Sequence, residues 1–301
     1  MITHMTCGIL VIPSVLMAQV HPQNEIPKFL QAKVTRAKAS NDVFELLQTS
    51  WEFTSRGLRS PIGITDEMLS KIDALAESGN PKAMHIKSNL IAYRGGHKDE
   101  VELWLRRSAE AGNPKAMSSL AQFLFSKAGQ KTAKPVYGTI MPGRAGGVEP
   151  NPKREQILLD ARNWGEKAFA FFKAAAESGN LDAMVELSAA SVYRELNLLS
   201  SRDSHNWQLK AAERGDSRSA YFYAMQAKRQ GSSSEAWKWM LIAAEAEELD
   251  AMIELGEWYM IGDKSIGLPP DRRLSRKWYD RVISFRGDRS FLEYRANPYG
   301  E

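Results

Sequence analysis

AESGNPKAM at Ala76–Met84 returns four more times along the chain, as AEAGNPKAM at Ala109–Met117, AESGNLDAM at Ala176–Met184, AERGDSRSA at Ala212–Ala220 and AEAEELDAM at Ala244–Met252. Counted from Gly79, Gly112, Gly179, Gly215 and Glu247, the copies lie 33, 67, 36 and 32 residues apart, so the second gap holds one period plus an insertion of similar length. The phrase reads as a helix end, a tight turn and a helix start. Glycine is the residue that takes a left-handed helix terminus cheaply. Asn80 and Asn113 supply a capping oxygen, and Pro81 and Pro114 suit the first helical position, where a missing N–H costs nothing. A unit this short cannot bury its own apolar face and has to stack on its neighbours.

With the phrase glycine as zero, position +9 is small in every copy (Ser88, Ala121, Ser188, Ala224, Gly256), and +5 is Met84, Met117, Met184, Ala220 and Met252. Small residues there let two helices approach closely. Position −8 is aromatic in four copies, Trp104, Phe171, Trp207 and Trp239, each expected to anchor the second helix of a pair. Two departures stand out. Lys71 replaces the aromatic before the first copy, and Glu247 replaces the glycine of the fifth, where a looser junction is expected.

The stretch AMIELGEWYMIGDKSIGLPPDRRLSRKWYDR, Ala251–Arg281, resembles the consensus of the Sel-one-like repeats (SLR), relatives of the tetratricopeptide repeats. Ala251, Leu255, Gly256 and Tyr259 match the start of the first helix of a repeat. Gly267, Asp271, Trp278 and Tyr279 match the loop and the start of the second. The likeness extends, with falling fidelity, over Thr65 to Asp288. It implies an all-α fold, a right-handed α-solenoid of stacked antiparallel helix pairs with one long inserted loop. Gly79, Gly112, Gly179, Gly215 and Gly256, with Trp104, Trp207, Trp239 and Trp278, are its structural repeat positions.

Around the repeats, residues 1–18 read as a signal peptide: an apolar run from Gly8 to Val20 carries Ala18 at a suitable cleavage position, although no Lys or Arg precedes it. The run is broken by Pro13 and too short to span a bilayer. This points to a periplasmic or secreted chain, with a cytoplasmic one as the alternative. Residues 19–39 form an N-terminal extension and 40–78 a capping helix pair. The array follows over 79–301, with a Gly-, Pro- and Lys-rich loop at about 127–152, a long helix from Lys153 to Ser178 expected to bend near Gly165, and a capping region from about 282.

At 43% hydrophobic and 25% charged residues, with a net charge of +4, the chain fits a globular class and gives no argument for nucleic acid. The single cysteine, Cys7, rules out the repeat-stapling disulfides that the resemblance attributes to some secreted members. Between Lys264 and Arg295 nine basic residues face four acidic ones, which suits the solvated side of a terminal repeat.

Motifs for chemistry are missing. The chain has no H-E-x-x-H, C-x-x-C, Walker-type loop or dinucleotide fingerprint, and no Ser followed three positions on by Lys. Five scattered histidines offer no metal spacing, and His205 beside Asp203 and Ser204 reads as a solvated turn, since adjacent residues do not face one another. No catalytic residue, metal or cofactor is assigned, and the chain reads as a non-enzyme.

A binding surface is what remains. Positions +5, +8, +9 and +12 form the buried stripe of each first helix; +3, +6, +10 and +13 lie about a third of a turn away. In the tetratricopeptide relatives the matching stripe lines a ligand groove. Carried over by position it comprises Lys82, His85, Asn89, Lys115, Ser118, Gln122, Phe125, Arg218, Tyr221, Met225, Lys228, Asp250, Ile253 and Glu257. The mixture suits a protein or peptide. The resemblance implies a scaffold or adaptor of a bacterial envelope, with no membrane span. Its alternative is an immunity protein neutralising a secreted, type VI, phospholipase-like effector, and a hydrolase acting on β-lactam or peptidoglycan is the remaining rival.

Overall fold

Every repeat phrase sits at a junction between two helices. In the computed structural model, which describes residues 25–129 and 153–287, the helices are α1 (Lys28–Ser40), α2 (Val43–Ser55), α3 (Asp66–Glu77), α4 (Pro81–Tyr93), α5 (Lys98–Glu110), α6 (Pro114–Gly129), α7 (Arg154–Glu177), α8 (Leu181–Ala189), α9 (Val192–Glu195), α10 (Ser201–Glu213), α11 (Ser217–Arg229), α12 (Ser233–Glu245), α13 (Leu249–Ile261) and α14 (Arg272–Arg286). A 3-10 turn, Lys264–Ile266, and an isolated bridge between Asp263 and Leu268 link the last two; no strand occurs among the described residues. The fold is an all-α solenoid of consecutive helix pairs. The expected signal peptide, most of the inserted loop and the chain end after Gly287 lie outside the described residues, while Lys127–Gly129, expected in that loop, complete α6.

The turns follow from contiguous residues alone. Gly79, Gly112, Gly179 and Gly215 adopt φ of +91°, +88°, +95° and +92°. At three of them the next N–H reaches back five positions: Asn80 to Leu75 O at 2.9 Å, Asn113 to Ser108 O at 3.1 Å and Asp216 to Ala211 O at 3.0 Å. These bonds satisfy carbonyls that the helix end leaves free. Side-chain caps start the following helices. Asn80 Oδ1 accepts from Ala83 N–H at 3.0 Å, Asn113 Oδ1 from Lys115 N–H at 3.0 Å, Asn180 Oδ1 from Ala183 N–H at 2.9 Å, and Asp216 Oδ2 from Ser219 N–H at 2.7 Å.

The expectation of a looser fifth junction is corrected. Glu247 takes the same left-handed turn at φ +67°, and Glu248 N–H bonds Ala243 O at 3.0 Å as in the glycine copies. A side chain in that conformation costs about 1 kcal/mol. The cost is offset by what the carboxylate binds: Oε2 accepts the Lys28 N–H at 2.7 Å and Oε1 the Arg281 Nη2 at 2.6 Å.

The described residues divide into two compact units, one of 73–178 with 189–201, the other of 25–72 with 179–188 and 202–287. In the first, α4 packs on α5, α5 on α6 and α6 on α7, and α9 rests against α6 and α7. Trp104, Leu105, Leu120, Leu124, Phe172 and Tyr193 are buried. Gly165 serves a close approach: a Cβ there would lie 2.7 Å from Leu196 Cδ1, so the long helix uses glycine to admit the segment after α9. Arg106 joins Glu102 at 2.9 Å and Asp160 at 2.6 Å, and Lys127 meets Glu102 at 2.6 Å, pinning α5, α6 and α7 at the foot of the insertion.

The anchor register needs one correction. Trp104 and Trp239 are buried, but Phe171 is 55% exposed and its neighbour Phe172 only 4%. In this copy the inward position is −7, which is also where Ile72, Leu105 and Met240 are buried. The first copy, with Lys71 at −8, therefore keeps an anchor in Ile72.

In the second unit α11 packs on α12, α12 on α13 and α13 on α14, while α1 pairs with α2. Leu30, Val34, Phe53 and Leu58 from the N-terminal helices share one apolar core with Trp239, Met252, Tyr279 and Phe285. Residues placed by sequence in an extension and a capping pair thus form the α1–α2 pair, and they bury their apolar side chains with the last repeats.

Candidate binding face

The four positions of the expected stripe fall on α4 and α6 in the first unit and on α11 and α13 in the second. In the first unit Lys82, Asn89 and Lys115 are exposed, while His85, Gln122 and Phe125 are half-buried. Ser118, at 5% exposure, belongs to the packed interface and not to an open face. His85 Nε2 lies 3.1 Å from Ser119 Oγ. Burial, with the Lys115 charge adding to it, lowers the imidazole pKa to about 4. So weak a base does little to activate a hydroxyl at neutral pH, which fits a packing role. Gln122 is engaged within the chain: its Nε2 donates to Glu195 Oε2 at 3.1 Å and its Oε1 accepts from Ser191 Oγ at 3.0 Å.

In the second unit the stripe is more open. Tyr221 and Met225 on α11 and Asp250 and Glu257 on α13 are half-buried, and Lys228 is exposed. Ile253, at 8% exposure, is part of the core of this unit. The Tyr221 phenol is pushed up to about 12, first by burial and then by the field of Asp250, Glu254, Glu248 and Glu257. The α11–α13 face therefore joins an aromatic ring and a thioether to a carboxylate-rich neighbour helix. At its far end the Lys228 ammonium sits 4.2 Å over the Trp258 ring, and Trp237 stacks on Trp258 at 5.8 Å and meets Tyr259 edge-on at 5.5 Å. Trp237 and Glu254 lie outside the four-position stripe, so positional transfer passed over them.

A concavity of about 610 Å³ lies away from the stripe, lined among others by Lys28, Glu247, Met252, Lys277, Trp278 and Arg281. Packing of α1 and α14 around the α12–α13 junction assembles it; the sequence marked Trp278 as a repeat position alone.

The tempting His205 grouping dissolves. His205 lies within α10 and stacks on Tyr223 with centroids 4.5 Å apart and planes 9° from parallel, while Ser204 Oγ donates to Ser188 O at 3.1 Å. Among the described residues no cluster of His, Cys, Asp and Glu is placed to hold a metal, and no helix is long and apolar enough to cross a membrane.

No family model matches the chain, and no curated protein matches it. Among solved structures it is similar to a Sel1 repeat protein from Oxalobacter formigenes, at 16% identity over 84% of this chain and 83% of that one, with a TM-score of 0.43. It is also similar to an immunity protein from Pseudomonas aeruginosa, at 18% identity over 91% and 85% and a TM-score of 0.43. A third is a protective antigen of uropathogenic Escherichia coli displaying an SLR fold, at 16% identity over 90% and 68% and a TM-score of 0.31. Five repeat phrases placed as helix–turn–helix junctions make the chain an SLR-like helical-repeat protein.

Proposed function

We propose that the chain is a non-catalytic scaffold that recognises a partner protein on the α11–α13 face. One observation carries the reading: Tyr221 stands half-buried on α11, one turn before the half-buried Met225, in the field of Asp250 and Glu257 on α13. Such a surface combines anchoring area with directional charge, as interface hot spots do. A partner segment offering an apolar side chain to Tyr221 and Met225 and a cation to the carboxylates would satisfy both halves.

A photo-crosslinking residue at position 225, introduced in cells of the source organism, tests this. The expected result is one dominant adduct that disappears when Tyr221 is also changed to alanine, while helical content and melting stay unchanged. The reading is overturned if no adduct forms, or if the adduct survives Tyr221→Ala. The identity of the adduct separates an assembly scaffold from an immunity protein.

A further inference from the structure

The α12–α13 turn departs from the other four in a way that its own geometry does not require. Glycine fills the left-handed position at Gly79, Gly112, Gly179 and Gly215, and Glu247 holds it here at φ +67°. Glu247 and Glu248 are 5% and 1% exposed. Burying two adjacent carboxylates demands partners, because charges taken out of water are retained only when paired.

Two of those partners, Lys28 and Arg56, come from α1 and the end of α2. Glu247 Oε2 accepts the Lys28 N–H at 2.7 Å, at the start of a helix whose preceding Pro27 offers no side-chain cap. Glu247 therefore caps α1 from across the unit. Arg281 of α14 binds Glu247 through Nη2 at 2.6 Å and Glu25 through Nη1, and the Glu25 N–H donates to Ser284 O at 3.2 Å. Glu248 pairs with Arg56 at the end of α2 and accepts from Ser217 Oγ at 3.1 Å. The Arg56 guanidinium also lies 4.3 Å over the Phe29 ring of α1. Two neighbouring carboxylates thus hold the first turn of α1 and the last residue after α2.

The geometry points to Glu247 and Glu248 as a receptor for α1 and α2, with residues 25–56 acting as a clasp over α12–α14. Docking supplies the Lys28 wall of the 610 Å³ cleft, so that concavity exists in full only when the clasp is closed.

Hydrogen exchange on the full chain, read peptide by peptide by mass spectrometry, tests the inference. Glu247→Gly restores the residue that the turn carries elsewhere and deletes the receptor oxygens. Amides of Lys28–Val34 should exchange at least tenfold faster, while those of α12 and α13 keep their protection. Arg56→Gln, which leaves Glu247 untouched, should loosen α1 and α2 in the same selective way. Glu247→Gln, which retains an acceptor for the Lys28 N–H, should fall between wild type and Glu247→Gly. Unchanged α1 protection in Glu247→Gly, or equal loss across α12 and α13, would overturn the clasp; the second result would make the carboxylate a requirement of the turn itself.

Discussion

Gly256 lies against the ring of Tyr279: a Cβ built on it would stand 2.7 Å from Cε1 and 2.9 Å from Cζ. Tyr279 is 2% exposed and cannot swing aside. Alanine is worth roughly 1 kcal/mol over glycine in a helix. Overpacking a rigid aromatic costs about 1–3 kcal/mol and should win. Gly256→Ala is expected to lower the melting temperature, and Tyr279→Leu should recover part of the loss when combined with it, as coupled neighbours do. Additive effects in thermal unfolding of the double variant would show that the ring is not the obstacle.

The inward register of the third repeat separates two adjacent phenylalanines. Phe172→Ala removes a buried ring and should cost about 3–5 kcal/mol, whereas Phe171→Ala should lie within about 0.5 kcal/mol of wild type. Chemical denaturation of both variants checks this. Equal losses would restore position −8 as the anchor.

Gly215 isolates the backbone price of the repeat turn, because a Cβ there meets nothing within 4 Å. Gly215→Ala is expected to cost about 1 kcal/mol, Gly215→Val more, and Gly215→Asn less, in the order in which those residues tolerate a positive φ. At Gly179 the same change would add a contact, since a Cβ would stand 3.1 Å from Arg214 Nη1, whose donation to Gly179 O at 2.8 Å ties the turn to the next repeat. Equilibrium unfolding of the Gly215 series in any other order would refute a purely conformational cost.

His85 makes stability depend on pH in one direction. Its folded pKa is depressed from 6.5 to about 4, so between those values the unfolded chain takes up a proton that the folded chain refuses. Stability from this group is complete above 6.5 and declines as the pH falls toward 4, by about 1–3 kcal/mol. His85→Gln should flatten the fall in melting temperature between pH 7 and pH 4.5. A variant profile parallel to wild type would mean that other groups govern the acid limb.

The repeat turns were legible before any fold was known because their causes are local. A left-handed glycine, the capping Asn or Asp after it and the proline at the helix start act within a few residues of one another, so Gly79, Asn80 and Pro81 announce their own conformation. Helix pairing followed from period and from the small +9 residues, of which Ser88, Ala121 and Ala224 are fully buried.

Tertiary packing decided everything that links distant positions. The 3.6-residue period left Phe171 and Phe172 as rival anchors, and only the neighbouring helices chose between them. The same packing withdrew Ser118 and Ile253 from the binding stripe and left Tyr221 and Met225 on it. Glu247 read as a defect because its reasons lie elsewhere in the chain: the Lys28 N–H is 219 positions away and Arg281 is 34. No local pattern encodes a bond of that reach, since it forms only where burial of Leu30, Val34 and Phe53 against the last repeats has already brought the two segments together.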